Sequence, residues 1–66
     1  MDDLERLKVL LAHWLEHNKE HADLYREWAE KALEMKQDDI AQILERLSRE
    51  TEGLNNLIEE ALRLIH

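Results

Sequence analysis

Three of the chain's four histidines fall close together, in the string HWLEHNKEH that begins at His13. His13, His17 and His21 follow one another at intervals of four residues, and residues four apart share one face of a helix. Each neighbouring pair can therefore hold one metal ion through imidazole nitrogens, which suit nickel, zinc and other late transition metals. Glu16 and Glu20 each follow a histidine by three residues, where a carboxylate can bind the ion or orient an imidazole ring.

Helix geometry limits what this cluster can do. His13 and His21 are about 12 Å apart along a helix axis, so one ion cannot take all three imidazoles. We expect His17 and His21 to be the principal pair, with His13 able to help only by pairing with His17. A complete site needs further ligands from a second helix or a second copy of the chain. Folding the chain back on itself brings three candidates within reach, namely Glu52, Asn55 and Glu59.

Other interpretations of the histidines stay open. His21 and Asn18 occupy neighbouring positions of an apolar seam, where a polar layer commonly fixes register and oligomeric state. A pH-sensitive layer without metal is a third alternative. The H-x-x-E-H string also matches an inverted zinc-peptidase motif, but a 66-residue chain has no room for the further ligand and substrate cleft. The Glu-x-x-His order of helical di-iron proteins is reversed here. We therefore expect no enzyme and no small-molecule substrate.

The spacing of apolar residues predicts two long helices that carry the cluster. Sustained intervals of three and four residues are typical of helices packed with knobs in holes. The first series is Leu4, Leu7, Leu11, Trp14, Asn18, His21, Tyr25, Trp28, Ala32 and Met35. The second series is Ile40, Leu44, Leu47, Thr51, Leu54, Ile58, Ala61 and Ile65. We expect the three aromatic residues of the first series to lie in the core.

A short turn separates the two series. Lys36 suits the C-terminus of a helix, and either Asp38 or Asp39 suits an N-cap. The sequence therefore predicts an all-α antiparallel hairpin with helices over about 2–36 and 38–65, in a single domain spanning 1–66. A three-helix bundle is the alternative, if the first helix ends at Asn18. Because the seam passes through Asn18 and Gly53 without a change of phase, the two-helix hairpin is favoured.

Further apolar residues flank the predicted seam and widen the stripe beyond what one hairpin needs. They are Leu10, Leu15, Leu24, Leu33, Ile43, Leu57, Leu62 and Leu64. The pattern predicts a homodimer in which two hairpins form a four-helix bundle with twofold symmetry. A monomer with partly exposed leucines is the alternative.

Composition excludes several classes of partner. The net charge of −7 argues against nucleic acid and against an anionic membrane surface, because both attract basic proteins. No apolar run approaches the ~18 residues of a membrane span. The chain has no cysteine, which rules out disulfides and thiolate metal sites. Because the first residues are acidic rather than basic, we expect no signal peptide. The absence of cysteine fits a reducing cytoplasm, and we expect a cytoplasmic location.

The stretch from Leu10 to Ala32 resembles a small prokaryotic helical domain of unknown function that is associated with nickel-binding accessory proteins. The resemblance rests on the string H-W-x-E-H-N-x-E-H-A and the following R-E-W-A. It implies a helical hairpin, nickel ligands at His13, His17 and His21, and no enzymatic activity. Those proteins can carry a companion domain that this sequence lacks, so the resemblance does not imply any function that the companion domain supplies. Such regular heptads are also typical of a designed or purely structural bundle.

Overall fold

A computed structural model describes residues 2–65, which form two α-helices joined by a tight turn. Helix α1 spans Asp3–Glu34 and helix α2 spans Asp38–Leu64. The helices lie side by side and antiparallel in a body of 51 × 17 × 11 Å, so the hairpin is one helix thick. The predicted two-helix hairpin is confirmed. Asn18 and Gly53 both lie inside continuous helix, and the three-helix alternative is not adopted.

Helix α1 begins at Asp3, close to the predicted start at about residue 2, and Asp2 is its N-cap. The Asp2 side chain accepts a hydrogen bond from the backbone N–H of Glu5 at 2.8 Å. This bond satisfies one of the N–H groups that the first helical turn leaves without a partner. Asp3 and Glu5 add negative charge to the same turn, where the helix dipole favours it.

The turn is a Schellman motif that ends α1 and reverses the chain. The backbone N–H of Gln37 donates to the carbonyl of Ala32 at 2.8 Å, and that of Lys36 donates to Leu33 at 2.9 Å. Lys36 has a φ of 61°, the left-handed conformation that this motif requires and that glycine adopts most easily. The reversal is thus complete within three residues.

The predicted cap of α2 is wrong, because neither Asp38 nor Asp39 occupies the N-cap position. Gln37 does, and its side chain makes no capping hydrogen bond. Gln37 is the single residue between the left-handed Lys36 and α2, and its carbonyl already accepts the N–H of Ala41 at 2.9 Å. Both aspartates therefore lie in the first turn of the helix, where they interact favourably with its dipole.

The helices meet along a line of mostly small or polar side chains, which we call the hairpin seam. Its members are buried or half-buried and recur at intervals of three and four residues. On α1 they are Leu11, Leu15, Asn18, Ala22, Tyr25, Ala29 and Ala32; on α2 they are Ala41, Leu44, Ser48, Thr51, Asn55, Ile58 and Leu62. The backbones approach closely enough for the Ser48 hydroxyl to donate to the Ala22 carbonyl at 2.8 Å.

The hairpin seam differs from the predicted one by a rotation of each helix. Trp14 and Trp28, expected in the core, are 45% and 48% exposed, whereas Tyr25 is half-buried. Leu47 and Leu54 of the predicted second series are likewise exposed. Alanine and serine lie between the helices instead, because small side chains let two backbones pack more closely than leucine and tryptophan do. The large apolar residues are left on an outer surface.

Within residues 2–65, neither helix combines the length and the apolarity that crossing a membrane requires.

Candidate functional site

The large exposed side chains form a second heptad series beside the hairpin seam, which we call the apolar face. Like the seam, it recurs at intervals of three and four residues on both helices. On α1 and its C-cap residue it comprises Leu7, Leu10, Trp14, His17, His21, Leu24, Trp28, Lys31 and Met35; on α2 it comprises Ile40, Ile43, Leu47, Glu50, Leu54, Leu57, Ala61 and Leu64. Most of its leucines, isoleucines and tryptophans are 40–73% exposed.

Both halves of the apolar face lie on the same side of the hairpin. On each helix the exposed series is offset from the seam by about 100° in the same rotational sense. Two antiparallel helices with equal offsets present their series to the same side. The opposite side is polar, and there Arg26 of α1 forms a salt bridge to Glu52 of α2 at 2.6 Å.

His17 and His21 interrupt the apolar face at its centre. Their rings are stacked, with centroids 4.7 Å apart and planes 7° from parallel. His17 is exposed and His21 is half-buried, with its ring centroid 5.9 Å from that of Tyr25. Because α1 spans Asp3–Glu34, this pair lies at the midpoint of the helix. The structure therefore brings together His17 and His21, the predicted principal pair, and they lie in the middle of the exposed apolar surface.

The other predicted ligands on α1 do not complete a site. The His13 ring lies edge-on to that of His17, with centroids 5.7 Å apart, but it is exposed and outside the apolar face. Glu16 and Glu20 are also exposed. Over residues 2–65, no three histidine, aspartate or glutamate side chains converge on one point that could hold a metal ion. One hairpin thus supplies a two-imidazole half-site.

The candidates on α2 are used elsewhere or held in the seam. Glu52 is paired with Arg26 on the polar side of the hairpin. Asn55 is 6% exposed in the seam, and its Oδ1 atom has no hydrogen-bond partner. Glu59 is half-buried. None of the three joins the histidines in a group that could hold metal, so the further ligands that were expected from α2 of the same chain are not in place.

A polar layer does cross the hairpin seam, but asparagine and hydroxyl side chains make it. Asn18 of α1 and Asn55 of α2 are both members of the seam, as are Ser48 and Thr51. The Thr51 hydroxyl donates to the Leu47 carbonyl of its own helix at 2.7 Å. One prediction from the sequence placed His21 in this layer with Asn18. The signal it missed is the recurrence of small residues every seven positions, at Ala22 and Ala29 and at Ala41 and Ser48.

Comparison with known proteins gives a family and no activity. A family model described as "Domain of unknown function (DUF8180)" matches residues 7–65. An uncharacterised protein of Archaeoglobus fulgidus is 31% identical over 62 residues, which cover 94% of this chain and 98% of that protein. No solved structure matches the chain. The expected resemblance to a domain of unknown function is confirmed, and nothing in these matches links the chain to nickel-binding proteins.

Proposed function

The chain belongs to the DUF8180 family of domains of unknown function, and we propose that it is a small acidic helical module. Its function, in this proposal, depends on self-association. In this proposal the apolar face of one hairpin closes against the apolar face of a second copy. The product is a four-helix bundle with twofold symmetry, the arrangement that two-helix hairpins commonly adopt.

The observation that carries this proposal is the division of side chains between the two series. The buried hydrophobic residues of the hairpin are four alanines and one leucine, Leu11. Among residues 2–65, fifteen larger hydrophobic residues are exposed, and most of them belong to the apolar face. A chain of this length has a marginal core, and contiguous apolar surface of this extent marks an interaction site. Burial against a partner supplies the large hydrophobic core that one hairpin lacks.

The distribution of charge supports a second copy of the chain as the partner. The chain has 16 acidic residues, yet Glu50 is the one acidic residue among the positions of the apolar face. Two chains of charge −7 can therefore meet through this face with almost all of their carboxylates directed outward. The heptad spacing of the face also matches itself, because knobs and holes recur at the same interval on both copies.

Two matched variants test the proposal, since α1 carries leucines of similar exposure on and off the apolar face. Leu24 belongs to the face and is 45% exposed, whereas Leu33 lies outside it and is 49% exposed. Sedimentation equilibrium of the wild type at micromolar concentration should give about twice the chain mass of 7.9 kDa. We expect Leu24→Lys to yield monomers and Leu33→Lys to remain dimeric. A fully helical wild-type monomer, or equal effects of both variants, would contradict the proposal.

A second candidate function, binding of a transition metal, is favoured by the stacked His17–His21 pair. Two imidazoles one helical turn apart can bind an ion in common, and imidazole without thiolate suits nickel and zinc. In this alternative the protein is a dedicated nickel or zinc carrier, and dimerisation serves only to build the metal site. At neutral pH, nickel or zinc should raise the melting temperature of the wild type, and His21→Ala should abolish the rise. An unchanged melting temperature, with a chelator as control, would rule out this function.

A further inference from the structure

We infer that His17 and His21 are one half of a metal site that two copies of the chain complete, with four imidazoles around one ion at the centre of the dimer. This inference rests on the self-association and the metal binding proposed above, and adds where the missing ligands come from. Two starting observations carry it: one hairpin offers two neighbouring imidazoles and no third ligand within residues 2–65, and these imidazoles lie on the surface through which the copies would meet.

The position of the pair along α1 makes it meet its own symmetry mate. If α1 packs antiparallel against the partner's α1, the twofold axis crosses the helices at right angles. Full overlap of two hairpins 51 Å long requires that axis to cross at mid-length. The midpoint of Asp3–Glu34 falls between His17 and His21. The two histidines are about 6 Å apart along the helix, so each lies about 3 Å from the level of the axis.

Helix packing distances then allow all four rings to reach one point. Packed helices have axes about 8–10 Å apart, and each imidazole extends into that gap from its own helix. His17 of one copy lies opposite the partner's His21, and the reverse pair lies on the other side of the axis. Four nitrogen ligands in this arrangement suit tetrahedral zinc or cobalt. Each histidine pair would otherwise be a polar interruption in an apolar interface, and the ion gives both pairs a favourable partner.

The other twofold arrangement predicts a different site. If the axis runs along the bundle, α1 faces the partner's α2, and each His17–His21 pair lies near the partner's Glu50. That arrangement has two identical sites, each with two imidazoles and one carboxylate, and binds one ion per chain. We infer the first arrangement because it gives one ion four imidazoles, whereas in the second each ion has two imidazoles and a carboxylate that forms an exposed salt bridge with Arg46 at 3.1 Å.

Titration with Co²⁺ distinguishes these arrangements, because tetrahedral cobalt has visible absorption bands and Zn²⁺ should displace it. The protein must be free of any histidine tag. We expect saturation at about one ion per two chains, and a sedimenting species that remains a dimer at lower protein concentration with metal than without it. His17→Ala and His21→Ala each remove two of the four ligands, and should weaken binding by more than the roughly tenfold to hundredfold cost of losing a supporting residue.

Two control variants separate this site from its alternatives. His13→Ala and Glu50→Gln should bind cobalt with unchanged stoichiometry, and circular dichroism should show every variant to be helical. Saturation at one ion per chain, or loss of binding in Glu50→Gln, would overturn the shared four-imidazole site while metal binding itself stands. Absence of any cobalt or zinc binding by a wild-type dimer would overturn both, and leave self-association intact.

Discussion

Lys36 adopts an unfavourable backbone conformation that allows the turn between the helices to be short. Its φ of 61° costs a residue with a Cβ atom about 1–2 kcal/mol relative to the right-handed conformation. Glycine avoids that cost but loses more backbone entropy on folding. We expect Lys36→Gly to stabilise the protein by about 0.5–1 kcal/mol in urea denaturation. Glu34→Gly is the control, because Glu34 lies in right-handed helix, is exposed and is outside the apolar face, and glycine there should be destabilising. A loss of stability in Lys36→Gly would show that the lysine side chain contributes more than its conformation costs.

Gly53 is the converse case, a glycine where the backbone requires none. It lies inside α2 without a positive φ, and a Cβ atom built there would meet nothing within 4 Å. It is also exposed and outside the apolar face. Gly53→Ala should therefore raise the free energy of unfolding by about 1 kcal/mol through helix propensity alone. Gln42→Gly, at another exposed position of α2, should lower it by a similar amount. A destabilised Gly53→Ala protein would indicate that a partner approaches this position closely.

Between the two helices, Ser48 tests whether small side chains determine how they pack. It is 1% exposed, and its hydroxyl donates to the Ala22 carbonyl on the other helix. Ser48→Ala should cost about 1 kcal/mol, the usual contribution of one such hydrogen bond. Ser48→Leu should cost about 1–3 kcal/mol, because the larger side chain forces the helices apart. Arg49→Leu, at the next and exposed position, should change the stability by less than about 0.5 kcal/mol. Thermal unfolding of the three variants gives this order, and a well-tolerated leucine at Ser48 would contradict the close packing.

The elements themselves could be predicted from the sequence, because they depend on local rules. Regular apolar spacing without proline predicted two helices, and the charges around Lys36 and Asp38 located the turn to within a residue or two. The rotation of the helices could not be predicted in the same way. Apolar residues occupy four adjacent heptad columns on α1, and periodicity does not say which two columns face α2. That choice depends on the close approach permitted by Ala22, Ala29, Ala41 and Ser48, a property of the pair of helices rather than of either one.

The spacing of the candidate site could be predicted from the sequence, but the direction in which it faces could not, because that direction depends on the rotation of the helices. The interval of four residues placed His17 beside His21, and the structure brings them together as expected. The direction in which the pair faces depends on the rotation of the helices. His21 was therefore expected inside the hairpin, whereas it lies on the apolar face. On that basis the α2 ligands of the same chain were candidates, beside ligands from a second copy. Once the pair faces outward, a second copy becomes the nearest source of further imidazoles.

The acidity of the chain should control how tightly two copies associate. Each carries a net charge of −7, almost all of its acidic residues lie outside the apolar face, and carboxylates on two copies repel one another through solvent. Raising the ionic strength from about 0.01 M to about 0.15 M shortens the screening length from about 30 Å to about 8 Å. We therefore expect the dimer dissociation constant, measured by sedimentation, to fall over this range. The double variant Glu16→Lys and Glu34→Lys changes the net charge from −7 to −3, since each substitution adds two positive charges, and should associate more tightly at low salt with a weaker salt dependence. A dimer that weakens as salt rises would show that attractive ion pairs between the copies, rather than apolar burial, hold it together.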